Sequence, residues 1–97
     1  MFVFVDMKPD PCHLQNMLDY IKELIPHTRV QDGCLDFKIY LERKDSLPSK
    51  LMFVERWENL EKFKNYEEWR RETGVLKKLR SFLQEDPIIR MAEDTGI

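Results

Sequence analysis

Between Gly33 and Leu60 the hydrophobic period is two, and this pattern restricts the fold more than any other feature. Leu35, Phe37, Ile39 and Leu41 alternate with Asp36, Lys38, Tyr40 and Glu42. Successive side chains of a strand point to opposite faces, so the stretch predicts a strand with one apolar face and one polar, aromatic-bearing face. A second strand is predicted over Leu51 to Trp57. There Leu51, Phe53, Glu55 and Trp57 share one parity, and Met52, Val54 and Arg56 the other. Arg43 to Lys50, which contains Pro48, reads as a polar loop joining the two. Neither parity of the second strand resembles a purely solvated surface.

The remaining chain supplies elements that pack against this hairpin. Phe2 to Met7 has strand composition and ends at Lys8-Pro9-Asp10-Pro11. Its two parities, Phe2 and Phe4 against Val3 and Val5, are both apolar, as in strands covered on both sides. Asp10 stands where a helix N-cap belongs, with Pro11 at the first helical position. Leu14, Met17, Leu18, Ile21 and Ile25 then form a helical stripe, Pro26 ends the pattern, and Asp32-Gly33 makes a turn. Asn59 is placed to cap a second helix whose buried stripe begins with Leu60 and Phe63 and continues to Tyr66. Its many charges, Arg70 among them, read as a solvated face. Thr73-Gly74 interrupts it, and Val75, Leu76, Leu79, Phe82 and Leu83 carry a last helical segment. Asp86-Pro87 stops that segment before a short strand containing Ile88, Ile89, Met91 and Ala92, and Glu93 to Ile97 reads as a tail.

The order β-α-β-β-α-β, with its second helix broken, is the ferredoxin-like split βαβ arrangement: an α+β fold with a four-stranded antiparallel sheet and its helices on one face. The 97 residues form a single domain over 1–97. In a monomer the other sheet face would be open, and the apolar content of the strands makes it too large a patch to leave wet. The economical solution is a homodimer in which two sheets face each other as an α/β barrel and enclose a cavity. Net charge is −2 with both signs mixed, so no basic patch points to nucleic acid, and no run approaches the ~20 apolar residues of a membrane span. The N-terminal stretch lacks the basic and long apolar regions of a signal peptide. Cys12 and Cys34 lack metal-ligand spacing and read as reduced thiols of a cytoplasmic protein, with a disulfide open only if the fold brings them together. On one helix His13 and His27 would stand on the order of 20 Å apart, too far to share a metal.

Gly-Cys-Leu-Asp-Phe-Lys-Ile-Tyr from Gly33, the Pro-containing turn, and Phe-Val-Glu-Arg-Trp-Glu-Asn-Leu-Glu from Phe53 resemble the antibiotic biosynthesis monooxygenase family. The Lys8-Pro9 start and the helix before Gly33 are similar as well, so the resemblance runs from about Phe2 to Met91. It implies a dimeric α/β barrel and a cofactor-independent monooxygenase that binds a small aromatic or quinol-like compound inside each half-barrel. The deprotonated substrate then supplies the electrons to O₂, and the protein positions it, moves a proton and stabilises the anion. Many members carry a histidine on the second helix where this chain has Tyr66, and the haem-degrading branch uses a later histidine that Thr73 to Arg80 lacks. Two alternatives stay open: a non-catalytic dimer that binds a small ligand, and an isomerase of a small polar metabolite.

Glu55 and Trp57 match the family's Glu-x-Trp. Glu55 in an apolar cavity is a candidate base, and the ordinary alternative pairs it with Arg56 of the partner subunit or with Arg90. Tyr66 is the second candidate catalytic residue, as a hydrogen-bond donor, with core packing its alternative. Asp36, Lys38 and Tyr40 are candidate substrate-binding groups if their face lines the cavity; otherwise they pair across the sheet or meet solvent at the dimer edge. Trp57 and Trp69 are candidate stacking surfaces, Trp57 with packing as its alternative and Trp69 near the cavity mouth. No metal and no cofactor are expected.

Overall fold

The computed structural model describes residues 1–97. Four strands, β1 (Phe2–Met7), β2 (Cys34–Lys44), β3 (Leu47–Trp57) and β4 (Ile88–Ala92), form one sheet in the order β2-β3-β1-β4, with every neighbouring pair antiparallel. Helices α1 (Leu14–Arg29), α2 (Leu60–Glu72) and α3 (Val75–Ser81) share one hydrophobic core with one face of that sheet. This is the ferredoxin-like α+β arrangement predicted from the order of elements.

Asp10 does act as a cap, but for a 3₁₀ turn over Pro11–His13, its Oδ1 accepting from the Cys12 N–H at 2.9 Å; the turn runs directly into α1. Pro26 does not end α1, which continues to Arg29. The proline removes a single N–H in the last turn, and the helix offsets that by burying Ile21, Leu24, Ile25 and Thr28. Gly33 has a φ of +86°, and a Cβ there would stand 2.4 Å from Cβ of Lys62, so the turn into β2 needs glycine on two counts. Asn59 caps α2, its side chain accepting from the Lys62 N–H at 3.0 Å, while Leu60 is exposed and the buried stripe begins at Phe63.

The hairpin is longer than its alternation suggests. The polar loop expected over Arg43–Lys50 is mostly strand, and the connection shrinks to Asp45 and Ser46, both with positive φ (53° and 64°). Two such residues give the turn whose twist matches paired antiparallel strands. Pro48 is tolerated because β1 reaches only as far as Leu51 along β3, and because the β2–β3 register shifts beside Arg43. A second shift, between Cys34 and Asp36, leaves Leu35 exposed instead of on the covered face.

Register assigns the two faces. Val3, Val5, Met7, Phe37, Leu51, Phe53, Glu55 and Trp57 lie under the helices and are buried. Phe2, Phe4, Asp6, Lys38, Tyr40, Met52, Val54 and Arg90 occupy the other face, which no element of the chain covers.

Candidate functional site

β3 runs from the hairpin into the centre of the covered face, and its period of two aims Glu55 and Trp57 at the helices. Trp57 Nε1 donates to Glu55 Oε1 at 3.0 Å, and both side chains are fully buried. α2 delivers Phe63, Tyr66 and Arg70, three residues on one face at helical spacing. The Trp57 and Tyr66 rings stack with centroids 4.8 Å apart, and Tyr66 stacks in turn on Trp69 at 5.8 Å. The Tyr66 hydroxyl shares a 2.8 Å hydrogen bond with Thr28 Oγ1 of α1. Arg70 places its guanidinium 4.9 Å from the Tyr66 ring centroid.

Arg70, only 3% exposed, does not belong to the solvated face of α2 expected for it. Its spacing of seven from Phe63 and four from Tyr66 carries the signal that it shares their stripe. It is also the cation nearest in effect to Glu55. Arg90 is engaged elsewhere, donating to both oxygens of Asp6 at 3.2 and 3.0 Å on the open face. Glu55 and Arg70 nevertheless form no ion pair within 4.0 Å, and Glu55 Oε2 and Arg70 Nε have no hydrogen-bond partner.

Burial pushes the Glu55 carboxyl up from 4.5 to about 7, against the pull of Arg70 and the Trp57 N–H, while Glu67 adds to the rise. Glu55 can therefore take up or release a proton near neutrality. Burial pushes Tyr66 up to about 12, although Arg70 and the Thr28 bond oppose it. At neutral pH Tyr66 is a hydrogen-bond donor and not a base. Cys34 is raised by its own burial and by Glu55 and Asp36, which keeps it a thiol.

Glu55, Trp57 and Tyr66 are thus brought together, and Trp69 extends the aromatic stack to the surface, where it borders a groove of about 320 Å³ with Tyr20, Leu24, His27 and Val75. Asp36, Lys38 and Tyr40 are not part of this cluster. They project from the opposite face of β2, where the Asp36 carboxylate accepts from the Phe37 N–H at 3.0 Å and lies 3.7 Å from Lys38 Nζ. The alternation placed them on a shared face correctly; that face is the uncovered one. The space between sheet and helices is packed by Phe37, Phe53, Trp57, Phe63 and Tyr66. Clefts open around its rim, the largest, about 350 Å³, lying between the start of α1 and the hairpin tip and lined by Pro9, Leu14, Leu41, Leu47 and Pro48. No group of three His, Cys, Asp or Glu side chains is arranged to hold a metal ion. No helix is long and apolar enough to cross a membrane.

The topology of this sheet, with a glutamate and an aromatic stack beneath its helices, agrees with what the family comparison shows. The model of the antibiotic biosynthesis monooxygenase family matches residues 1–72, and the chain belongs to that family. A search of curated proteins finds no significant match. Among solved structures, a conserved protein of Methanosarcina mazei Go1 is 21% identical with a TM-score of 0.81, over 92% of this chain and 86% of that one. An antibiotic biosynthesis monooxygenase is 16% identical with a TM-score of 0.82, over 97% of each chain. A monooxygenase of Streptomyces coelicolor, in complex with the ligand Nanaomycin D, is 16% identical with a TM-score of 0.77, over 99% of this chain and 88% of that one. At these identities the three structures establish the shared fold.

Proposed function

We propose that the protein is a cofactor-independent monooxygenase that oxidises a small aromatic or quinol-like compound and works as a cytoplasmic homodimer. The observation that carries this reading is Glu55: fully buried beneath an aromatic stack, one carboxylate oxygen held by Trp57 and the other free. A base poised near neutrality beside flat side chains suits a phenolic substrate. Glu55 Oε2 takes the hydroxyl proton, and the phenolate passes electrons to O₂. A C–O bond forms at a ring carbon bearing hydrogen, the O–O bond breaks, and the second oxygen leaves as water. One phenol and one O₂ thus give one quinone and one water, with the substrate as the only reductant. Trp57, Tyr66 and Trp69 supply stacking surface, and Tyr66 supplies a hydrogen-bond donor. Asp36, Lys38 and Tyr40 are assigned instead to the face that meets the second copy.

A second reading is a non-catalytic dimer of the same fold that binds a small ligand, supported by Tyr66 standing where many members carry a histidine. Aromatic lining speaks against an isomerase of a polar metabolite, which needs several charged groups around its substrate. Oxygen-electrode measurements with a panel of hydroquinones and naphthols separate the first two. The monooxygenase reading expects uptake that falls in Glu55→Gln and Tyr66→Phe; uptake no greater than in those variants supports the binding dimer.

A further inference from the structure

Tyr20, Glu23, Leu24 and His27 recur along α1 at intervals of three and four, so they form one ridge of the helix. That ridge borders the groove of about 320 Å³ whose other side is made by Trp69 of α2 and Val75, the first residue of α3. Trp69 and Val75 flank the break at Thr73-Gly74, where Gly74 takes a φ of +82°. Leu24 and Val75 are buried, Tyr20 and Trp69 half-buried, and Glu23 and His27 exposed. The groove thus combines buried aliphatic side chains with two aromatic walls. Each ring is held by a neighbour: Trp69 stacks on Tyr66 at 5.8 Å, and the Tyr20 ring lies 6.0 Å from that of Phe82. Neither Glu55 nor Arg70 lines this groove.

Its charge is one-sided. Glu23 is the only carboxylate in the lining, and no lysine or arginine joins it. Glu23 belongs to none of the chain's ion pairs. Its field reaches the Tyr20 hydroxyl, whose pKa is raised first by burial and then by Glu23. Lys78 rests over the Phe82 ring, 5.1 Å from its centroid, and stays outside the lining. The faces of tyrosine and tryptophan rings are negative, so the carboxylate and both walls attract the same charge. An anion is repelled there, and a neutral apolar guest gains nothing from Glu23. A primary ammonium holds its water too strongly to settle on aliphatic side chains, whereas a methylated ammonium presents charge and apolar surface together.

We propose that the groove between α1 and the α2–α3 break binds a small quaternary ammonium compound, its methyl groups against Tyr20 and Trp69 and its charge opposite Glu23. The site is separate from the chemistry proposed for Glu55 and is tested by binding alone.

Choline is the probe, and 3,3-dimethyl-1-butanol, which has the same shape without the charge, is the control. Isotope-labelled full-length protein is titrated with each and followed by NMR at constant ionic strength and about pH 8, where histidine side chains are ordinarily neutral. The chain has two tryptophans and hence two indole N–H signals, and the one missing in Trp69→Phe belongs to Trp69. The expected result is a saturable shift of the Trp69 signal with choline, at least about tenfold weaker binding of the alcohol, and a Trp57 signal that stays in place because its N–H is buried and bonded to Glu55. Glu23→Gln changes an exposed residue and is expected to bring the two probes within about threefold of each other. A shift with choline that never saturates, equal binding of the two probes to wild-type protein, or a preference unchanged in Glu23→Gln overturns the site. Equal binding would make the groove an apolar one without selectivity for charge. If Trp69→Phe does not fold, the backbone amides of Leu24 and Val75 report on the groove in place of the indole, with the same expected and contrary results.

Discussion

Alternate residues of β3 live in two environments. Phe53, Glu55 and Trp57 face the helices and are buried; Met52, Val54 and Arg56 face away, where no helix of this chain covers them. The covered face is closed by aromatic packing, with its polar groups confined to one small cluster. The open face is organised differently. At its centre the Phe2 and Phe4 rings stand 6.5 Å apart, with Arg90 over Phe4. Toward the hairpin tip a row of alternating charge crosses all four strands: Arg90 to Asp6 at 3.0 Å, Asp6 to Lys50 at 3.5 Å, and Lys50 to Glu42 at 3.7 Å. One face is thus finished and chemically equipped, whereas the other is apolar at its centre, bounded by charge and unfinished. The difference supports the two proposals, chemistry at the covered cluster and a second copy over the open face.

The comparison breaks most visibly in the packed interior. Trp57→Ala removes a fully buried ring that touches Phe63 and Tyr66 and binds Glu55, and is expected to cost about 3–5 kcal/mol in urea unfolding, whereas Arg56→Ala, one residue away on the open face, should cost under about 0.5 kcal/mol. On the open face, Phe4→Asp or Val54→Asp buries an unpaired charge if a second copy lies there. Sedimentation should show dimer dissociation strengthened by at least about 100-fold with far-UV circular dichroism retained. A wild-type monomer at micromolar concentration would remove the case for closure by a second copy.

Protonation offers a subtler contrast. Glu55 titrates near 4.5 when unfolded and at about 7 when folded, so the native state holds its proton more tightly. That contribution is complete below about pH 4.5, declines as pH rises toward 7 and is gone above it, about 3 kcal/mol in all at roughly 1.4 kcal/mol per pH unit. Unfolding free energies from pH 5 to 8 should show this slope in wild type and a flatter profile in Glu55→Gln. A smaller loss is expected in the covered cluster from Tyr66→Phe, which keeps the stack but strands Thr28 Oγ1; about 1–2 kcal/mol should be lost, partly recovered in Tyr66→Phe/Thr28→Val.

Much of this division was legible from spacing. Alternation sorted Glu55 and Trp57 from Met52 and Val54, and the order of elements specified the sheet, because face and period are local properties of the chain. Which face the helices cover is not a local property, so alternation groups Asp36, Lys38 and Tyr40 on one face without saying that it is the uncovered one. Arg70 was hidden by its residue type: an arginine among many charges reads as solvated until the ring of Tyr66 and the acid on β3 are seen to surround it. The hairpin tip is hard to read for a related reason, since Asp45-Ser46 lacks the glycine that usually marks two residues of positive φ.

The most direct test of the covered face as a site of chemistry is the initial rate of oxygen consumption with a hydroquinone or naphthol across pH 5.5 to 8.5, in wild type and in Glu55→Gln. The expected result is a wild-type rate, corrected for autoxidation, that rises with a midpoint near 7 as Glu55 loses its proton, and a rate at least about 100-fold lower in the variant. A rate with no such midpoint, unchanged by the substitution, would contradict it.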